Sequence, residues 1–107
     1  MNDFDPQFVH SVFFWLKQPD SQTDRRAFEI SLKKFLSHSD FAKTKFIGRP
    51  PTASREVVNA SFTYSLVVSF DSAESQASYQ AEPAHQTFID ESETLWEKVT
   101  VFDSMGI

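Results

Sequence analysis

Three observations predict an α+β fold in which helices back one face of an antiparallel sheet. Short segments rich in aromatic and β-branched residues read as strands. Two longer segments repeat apolar residues at helical spacing. The order is strand, helix, strand, strand, broken helix, strand, which is the split βαβ arrangement of a ferredoxin-like βαββαβ unit. The 107 residues suit one domain, with its core at about 8–103, and a chain of this size buries roughly two-thirds of the surface it exposes unfolded.

Residues 8–16, Phe8-Val9-His10-Ser11-Val12-Phe13-Phe14-Trp15-Leu16, form a continuous apolar run expected to be a strand buried on both faces. His10 then shares a face with Phe8, Val12, Phe14 and Leu16. Pro19 to Thr23 is a loop, and Thr23 with Asp24 offers a helix start. Phe28, Leu32, Phe35 and Leu36 follow at helical spacing, up to about His38-Ser39. Lys43 to Arg49 reads as a short strand with Lys45 and Ile47 on one side. Pro50 to Glu56 reads as a loop, because consecutive prolines remove ladder donors.

Residues 62–70 alternate, with Phe62, Tyr64, Leu66, Val68 and Phe70 expected on one face. Asp71-Ser72-Ala73-Glu74 has the spacing of a capped helix start, and that helix runs to about Tyr79. Pro83 suits the first position of a second helical piece, because its fixed backbone angle fits there and its missing N–H costs nothing. Phe88, Ile89, Ser92, Leu95 and Trp96 make a stripe with His85 on the same side. Val99 to Phe102 is the expected last strand. The second face of the first strand carries Val9, Phe13 and Trp15, too much apolar surface to leave wet, so face-to-face dimerisation is expected.

Composition excludes several function classes. A net charge of −5 disfavours nucleic acid and anionic membrane surfaces as partners. With no cysteine, disulfides, thiolate catalysis and cysteine-held metals are impossible. His10, His38 and His85 lack helical metal-ligand spacing, so no metal is expected. With only Gly48 and Gly106 there is no glycine-rich phosphate loop. The acidic opening Met1 to Pro6 is unlike a basic secretory leader, and no apolar run is long enough to span a bilayer. The expectation is a soluble, cytoplasmic protein.

The early histidine of the first strand, the segment Phe62 to Phe70, the Tyr79…Pro83-Ala84-His85 element and the closing Trp96 to Asp103 together resemble the stress-responsive A/B barrel domain family (Dabb). The likeness runs from about Phe8 to Asp103. It implies a ferredoxin-like subunit that pairs through its sheet into a dimeric α+β barrel. That family includes plant stress-induced proteins, bacterial proteins of undefined role, and a plant polyketide cyclase similar to olivetolic acid cyclase, which needs no cofactor. By the resemblance, the cyclase's catalytic histidine falls on His85, its active-site tyrosine on Tyr79 and its first-strand histidine on His10. The chain departs from that pattern at Glu82, where a histidine is common, and at Tyr64, which replaces a pocket histidine.

His85 titrates near neutrality and suits a general base, and Tyr79 can orient it or donate to a developing oxyanion. The structural alternative is that His85 ties the helix break together by bonding to backbone. His10 is either a satisfied core histidine or part of the same pocket. Tyr64, Phe14 and Phe88 are expected to line that pocket, and Glu82 is expected to cap the Pro83 helix. Three functions follow: a homodimer binding a small apolar or aromatic molecule, a cofactor-free cyclase or lyase with His85 as base, or a non-catalytic stress-related module.

Overall fold

The computed structural model describes residues 4–52 and 55–107. Met1 to Asp3 of the acidic opening, and Ala53 and Ser54 of the expected proline loop, lie outside the described residues. The elements run β1 (Phe8–Leu16), α1 (Gln22–Ser37), β2 (Thr44–Gly48), β3 (Tyr64–Phe70), α2 (Ala73–Gln80), α3 (Pro83–Ser92) and β4 (Trp96–Met105). The sheet order is β2-β3-β1-β4, antiparallel throughout. This is the ferredoxin-like α+β fold the element order predicts.

β1 sits at the centre, and its register carries the site. His10 lies opposite Val68 of β3 and opposite Asp103 of β4. Phe8, His10, Val12, Phe14 and Leu16 are buried, whereas Val9, Phe13 and Trp15 are only partly covered. The expectation of burial on both faces therefore fails for the single chain. The helices cover one face, and the other shows the rings of Phe13, Phe62 and Phe102, packed edge to face at 5.0 and 6.0 Å.

α1 begins earlier than Thr23–Asp24, because the Ser21 hydroxyl accepts the Asp24 N–H at 3.2 Å and so caps the first turn. Its predicted stripe of Phe28, Leu32, Phe35 and Leu36 is buried. At its far end the Lys45 ammonium, on the helix side of β2, donates to the carbonyls of Leu36 and Ser39. Such a cation offsets the partial negative charge of a helix C-terminus.

β3 starts at Tyr64, two residues later than expected, because the chain bends at Thr63. The Thr63 N–H donates to the Phe14 carbonyl at 2.8 Å, and its hydroxyl accepts the Leu16 N–H at 3.0 Å. Phe62 consequently meets Phe13 on the open face and not Tyr64's neighbours on the buried one.

α2 is capped by Ser72, whose hydroxyl accepts the Ser75 N–H at 3.1 Å, one residue beyond the Asp71 start expected. Pro83 opens α3 as predicted. That helix ends at Ser92, so Leu95 lies in a turn and Trp96 opens β4 instead of extending the helical stripe. β4 is longer than Val99–Phe102 and pairs with β1 from Trp96 to Met105, with a register shift between Trp15 and Leu16.

Aromatic rings fill the space between sheet and helices. Phe28 is fully buried and its ring lies 5.0 Å from Phe14, 4.9 Å from Tyr64 and 5.9 Å from Phe88. Burying such a side chain contributes roughly 1.5–3 kcal/mol. α1 is tied to α3 through Glu91, which accepts from Ser31 at 2.7 Å and Lys34 at 2.6 Å.

Candidate functional site

The gap between the sheet and the α2–α3 corner forms a cavity of about 130 Å³. β1 contributes His10, Val12 and Phe14, α1 contributes Phe35, α2 contributes Tyr79 and Gln80, and α3 contributes His85 and Phe88. Trp96, Val99 and Val101 close the β4 side. Five of the six predicted site residues thus border one space: His10, Phe14, Tyr79, His85 and Phe88.

Tyr79 is the pivot. It is 1% exposed, with its ring 5.9 Å from His10, 6.3 Å from His85 and 5.1 Å from Phe35. Its hydroxyl is buried and has no hydrogen-bond partner among the described residues. A buried donor left in that state costs about 1–3 kcal/mol. Burial first, and the nearby Glu82 carboxylate second, push its pKa well above the phenol range, so it stays protonated.

His85 is half-buried, and burial lowers its pKa, with a further lowering from His10 and a partial offset from Glu82. Its Nε2 lies 3.0 Å from the Gln80 side-chain amide nitrogen. Gln80 is held in turn, because Gln76 Nε2 donates to Gln80 Oε1 at 3.0 Å. With the amides so assigned, Gln80 donates to Nε2 and the neutral ring carries its proton on Nδ1. The expected bond from His85 to backbone is thus a side-chain bridge across the helix break.

His10 pairs with a residue that sequence reasoning missed. Its Nδ1 lies 2.5 Å from Asp103 Oδ1, a contact created by the β1–β4 register. The signal was present in principle, since extending the last strand past Phe102 places Asp103 opposite His10. Gln80 and Phe35 were also missed: Gln80 is placed by its bridge to His85 and Phe35 by the packing of α1 on the corner.

Two expectations are corrected. Tyr64 does not border the cavity; its ring stacks on Phe28 at 4.9 Å and its hydroxyl donates to Glu29, because its side chain meets the first half of α1. Glu82 makes no side-chain cap to α3. Its carboxylate instead accepts from the Ser39 hydroxyl at 2.7 Å, which fastens the α2–α3 corner to the end of α1. Among the described residues, no three His, Asp or Glu side chains are grouped to hold a metal ion, and no helix is long and apolar enough to cross a membrane.

The model of the stress responsive A/B barrel domain matches residues 8–105. The chain belongs to this family. Similar solved structures include a Dabb family protein with a ferredoxin-like fold from Mesorhizobium loti, at 18% identity and a TM-score of 0.77 over 96% of this chain and 99% of that one. A hydroxynitrile lyase from Passiflora edulis is similar at 20% identity and a TM-score of 0.74, over 94% of each chain. A dimeric ferredoxin-like protein of unknown function from Thermobifida fusca is similar at 14% identity and a TM-score of 0.73, over 95% and 93%. These likenesses show the fold. No curated protein matches the chain.

In this A/B barrel domain the cavity combines an apolar lining with one protonated phenol and two imidazoles. The phenol can donate a hydrogen bond and a neutral imidazole can accept a proton. The size is decisive for what fits. Drug-sized ligand pockets run to roughly 300–1,000 Å³, while an apolar cavity of about 150 Å³ admits benzene. A space of about 130 Å³ therefore suits a single small ring.

Proposed function

We propose that the chain is a homodimeric α+β barrel protein that binds a small apolar or aromatic molecule in the cavity beside His10, Tyr79 and His85. The observation that carries this reading is a mostly apolar cavity bordered by His10, Tyr79 and His85, with a buried Tyr79 hydroxyl that has no partner among the described residues. A one-ring ligand bearing a carbonyl or similar acceptor fits the cavity volume and, with a small shift of the enclosed Tyr79 side chain, satisfies that donor. Pairing through the sheet is supported by the partly covered rings of Phe13 and Phe62 and the exposed ring of Phe102 on the open face and by the dimeric description of the Thermobifida fusca relative. The test is calorimetric titration of benzaldehyde into wild type and Tyr79→Phe. Saturable binding that weakens in the variant supports the assignment; equal affinity in both rules out Tyr79 as the donor.

A second reading, supported by the neutral imidazole close to a protonated phenol, is a cofactor-free lyase or cyclase with His85 as base and Tyr79 as hydrogen-bond donor. For an aromatic hydroxynitrile, His85 would take the hydroxyl proton as the carbonyl forms and cyanide leaves with the carbon–carbon bonding pair. Gln80 stands in the way, since its amide occupies the Nε2 lone pair. Turnover by wild type and none by His85→Ala favours catalysis, whereas equal rates in the two proteins eliminate it. The Gln80–His85 bridge alone suits a purely structural module, for which His85→Leu destabilises the fold and no ligand is found.

A further inference from the structure

At the other end of β1 lies a second cleft of about 380 Å³, between the β1–α1 loop, the end of β2 and the bend before β3. It shares no lining residue with the His85 cavity. Three cationic side chains border it, Lys17, Arg25 and Arg49, against one acid, Glu97. In a chain of net charge −5 that is a local reversal of sign. Among the described residues none of the three cations makes an ion pair. Trp15, Phe62 and Pro50 supply its apolar lining, and the Lys98 ammonium stands 4.5 Å from the Trp15 ring.

We infer that this cleft, at the border of the open sheet face through which the chain is proposed to pair, binds a small aromatic carboxylate, its ring against Trp15 and Phe62 and its charge on Arg25 and Arg49. Arg25 is held in place for the role. Its Nη1 donates to the Pro19 carbonyl at 2.7 Å, and its guanidinium lies 5.0 Å over the Tyr64 ring. Tyr64 is fixed by Phe28 beneath it and by its bond to Glu29. Arg25 carries five N–H donors in a rigid fork, so most remain for a ligand. Guanidinium forks match carboxylate geometry and also stack on aromatic faces. Tyr64, which lies away from the His85 cavity, here acts as a positioning residue for Arg25. The volume is within the range of small-molecule pockets, roughly 300–1,000 Å³.

Trp15 supplies the reporter, because its indole N–H donates to Ser61 in the same cleft at 3.2 Å. The full chain, isotope-labelled at nitrogen, is titrated at low salt with benzoate, benzyl alcohol and inorganic phosphate. The expected result is a saturable shift of the Trp15 indole signal with benzoate, weakened about tenfold in Arg49→Gln, the loss of one charge-assisted hydrogen bond. Arg49 is exposed, so this variant keeps its fold, which an unchanged Tm verifies. Tyr64→Phe is expected to keep benzoate binding, since ring and stack remain, while Tyr64→Leu weakens it. No shift with benzoate, or equal affinity for benzyl alcohol, overturns the charge recognition. Equal affinity for phosphate overturns the aromatic part, and unchanged binding in Arg49→Gln overturns the site.

Discussion

Replacing Tyr79 by Phe removes one oxygen and leaves the ring contacts to His10, Phe35 and Phe70, at 5.9, 5.1 and 5.0 Å, in place. In most proteins, deleting a buried hydroxyl breaks a hydrogen bond and destabilises. Here the hydroxyl has no partner among the described residues, so the variant sheds a desolvation cost of about 1–3 kcal/mol. Part of that gain is lost to the small void left by the oxygen, and about 1 kcal/mol of net stabilisation is expected in the ligand-free protein. At about 2.1 cal/mol/K of unfolding entropy per residue over 107 residues, that corresponds to a rise in Tm of about 4 °C. The assay is thermal unfolding by circular dichroism at fixed protein concentration, so that any self-association contributes equally to both proteins. A fall in Tm of several degrees would mean instead that the hydroxyl is satisfied within the free protein.

His85 gives a pH dependence whose sign is fixed by its lowered pKa. The unfolded chain binds the proton more readily, so the contribution is complete above about pH 6.5 and is lost as pH falls through the depressed folded value. His85→Gln should therefore flatten the loss of stability between neutral and acid pH in urea titrations; an unchanged slope contradicts the burial argument. Phe28→Ala empties the centre of the aromatic cluster and is expected to cost about 3–5 kcal/mol in the midpoint of urea unfolding. A cost under 1 kcal/mol would show that the cluster rearranges. Phe13→Glu places a charge among Phe62 and Phe102 and should convert a dimer to monomer in analytical ultracentrifugation, while a variant that stays dimeric locates the interface elsewhere.

Much of this architecture is legible in the sequence because side-chain period and capping act locally. The stripe Phe28, Leu32, Phe35, Leu36 and the Pro83 helix start follow from spacing and backbone chemistry alone. What local rules missed depends on pairing at a distance. The bend at Thr63 exists because its hydroxyl and N–H find Leu16 and Phe14, and it sends Phe62 to the open face. Glu97, Lys98 and Asp103 mask the alternation of β4, so the pattern shows only Val99–Phe102, yet pairing with β1 carries the strand to Met105.

The candidate site divides in the same way. Tyr79 and His85 stand near each other in sequence, and the helix break between them sets their separation, so their neighbourhood was visible. His10 joins them by register. Tyr64 was misplaced because strand parity gives a face and not a position along it; it sits opposite Phe14, near the first half of α1, four residues along β1 from His10.

The central claim, that the space beside Tyr79 and His85 is a binding site for one small ring, is tested most directly by a crystal structure of the protein soaked with benzaldehyde. The expected result is ring density among Phe35, Phe88 and His85 with the aldehyde oxygen within hydrogen-bonding distance of Tyr79 Oη. A saturating soak that leaves the cavity without ligand density, with Tyr79 bonded to a neighbouring protein group, would contradict it.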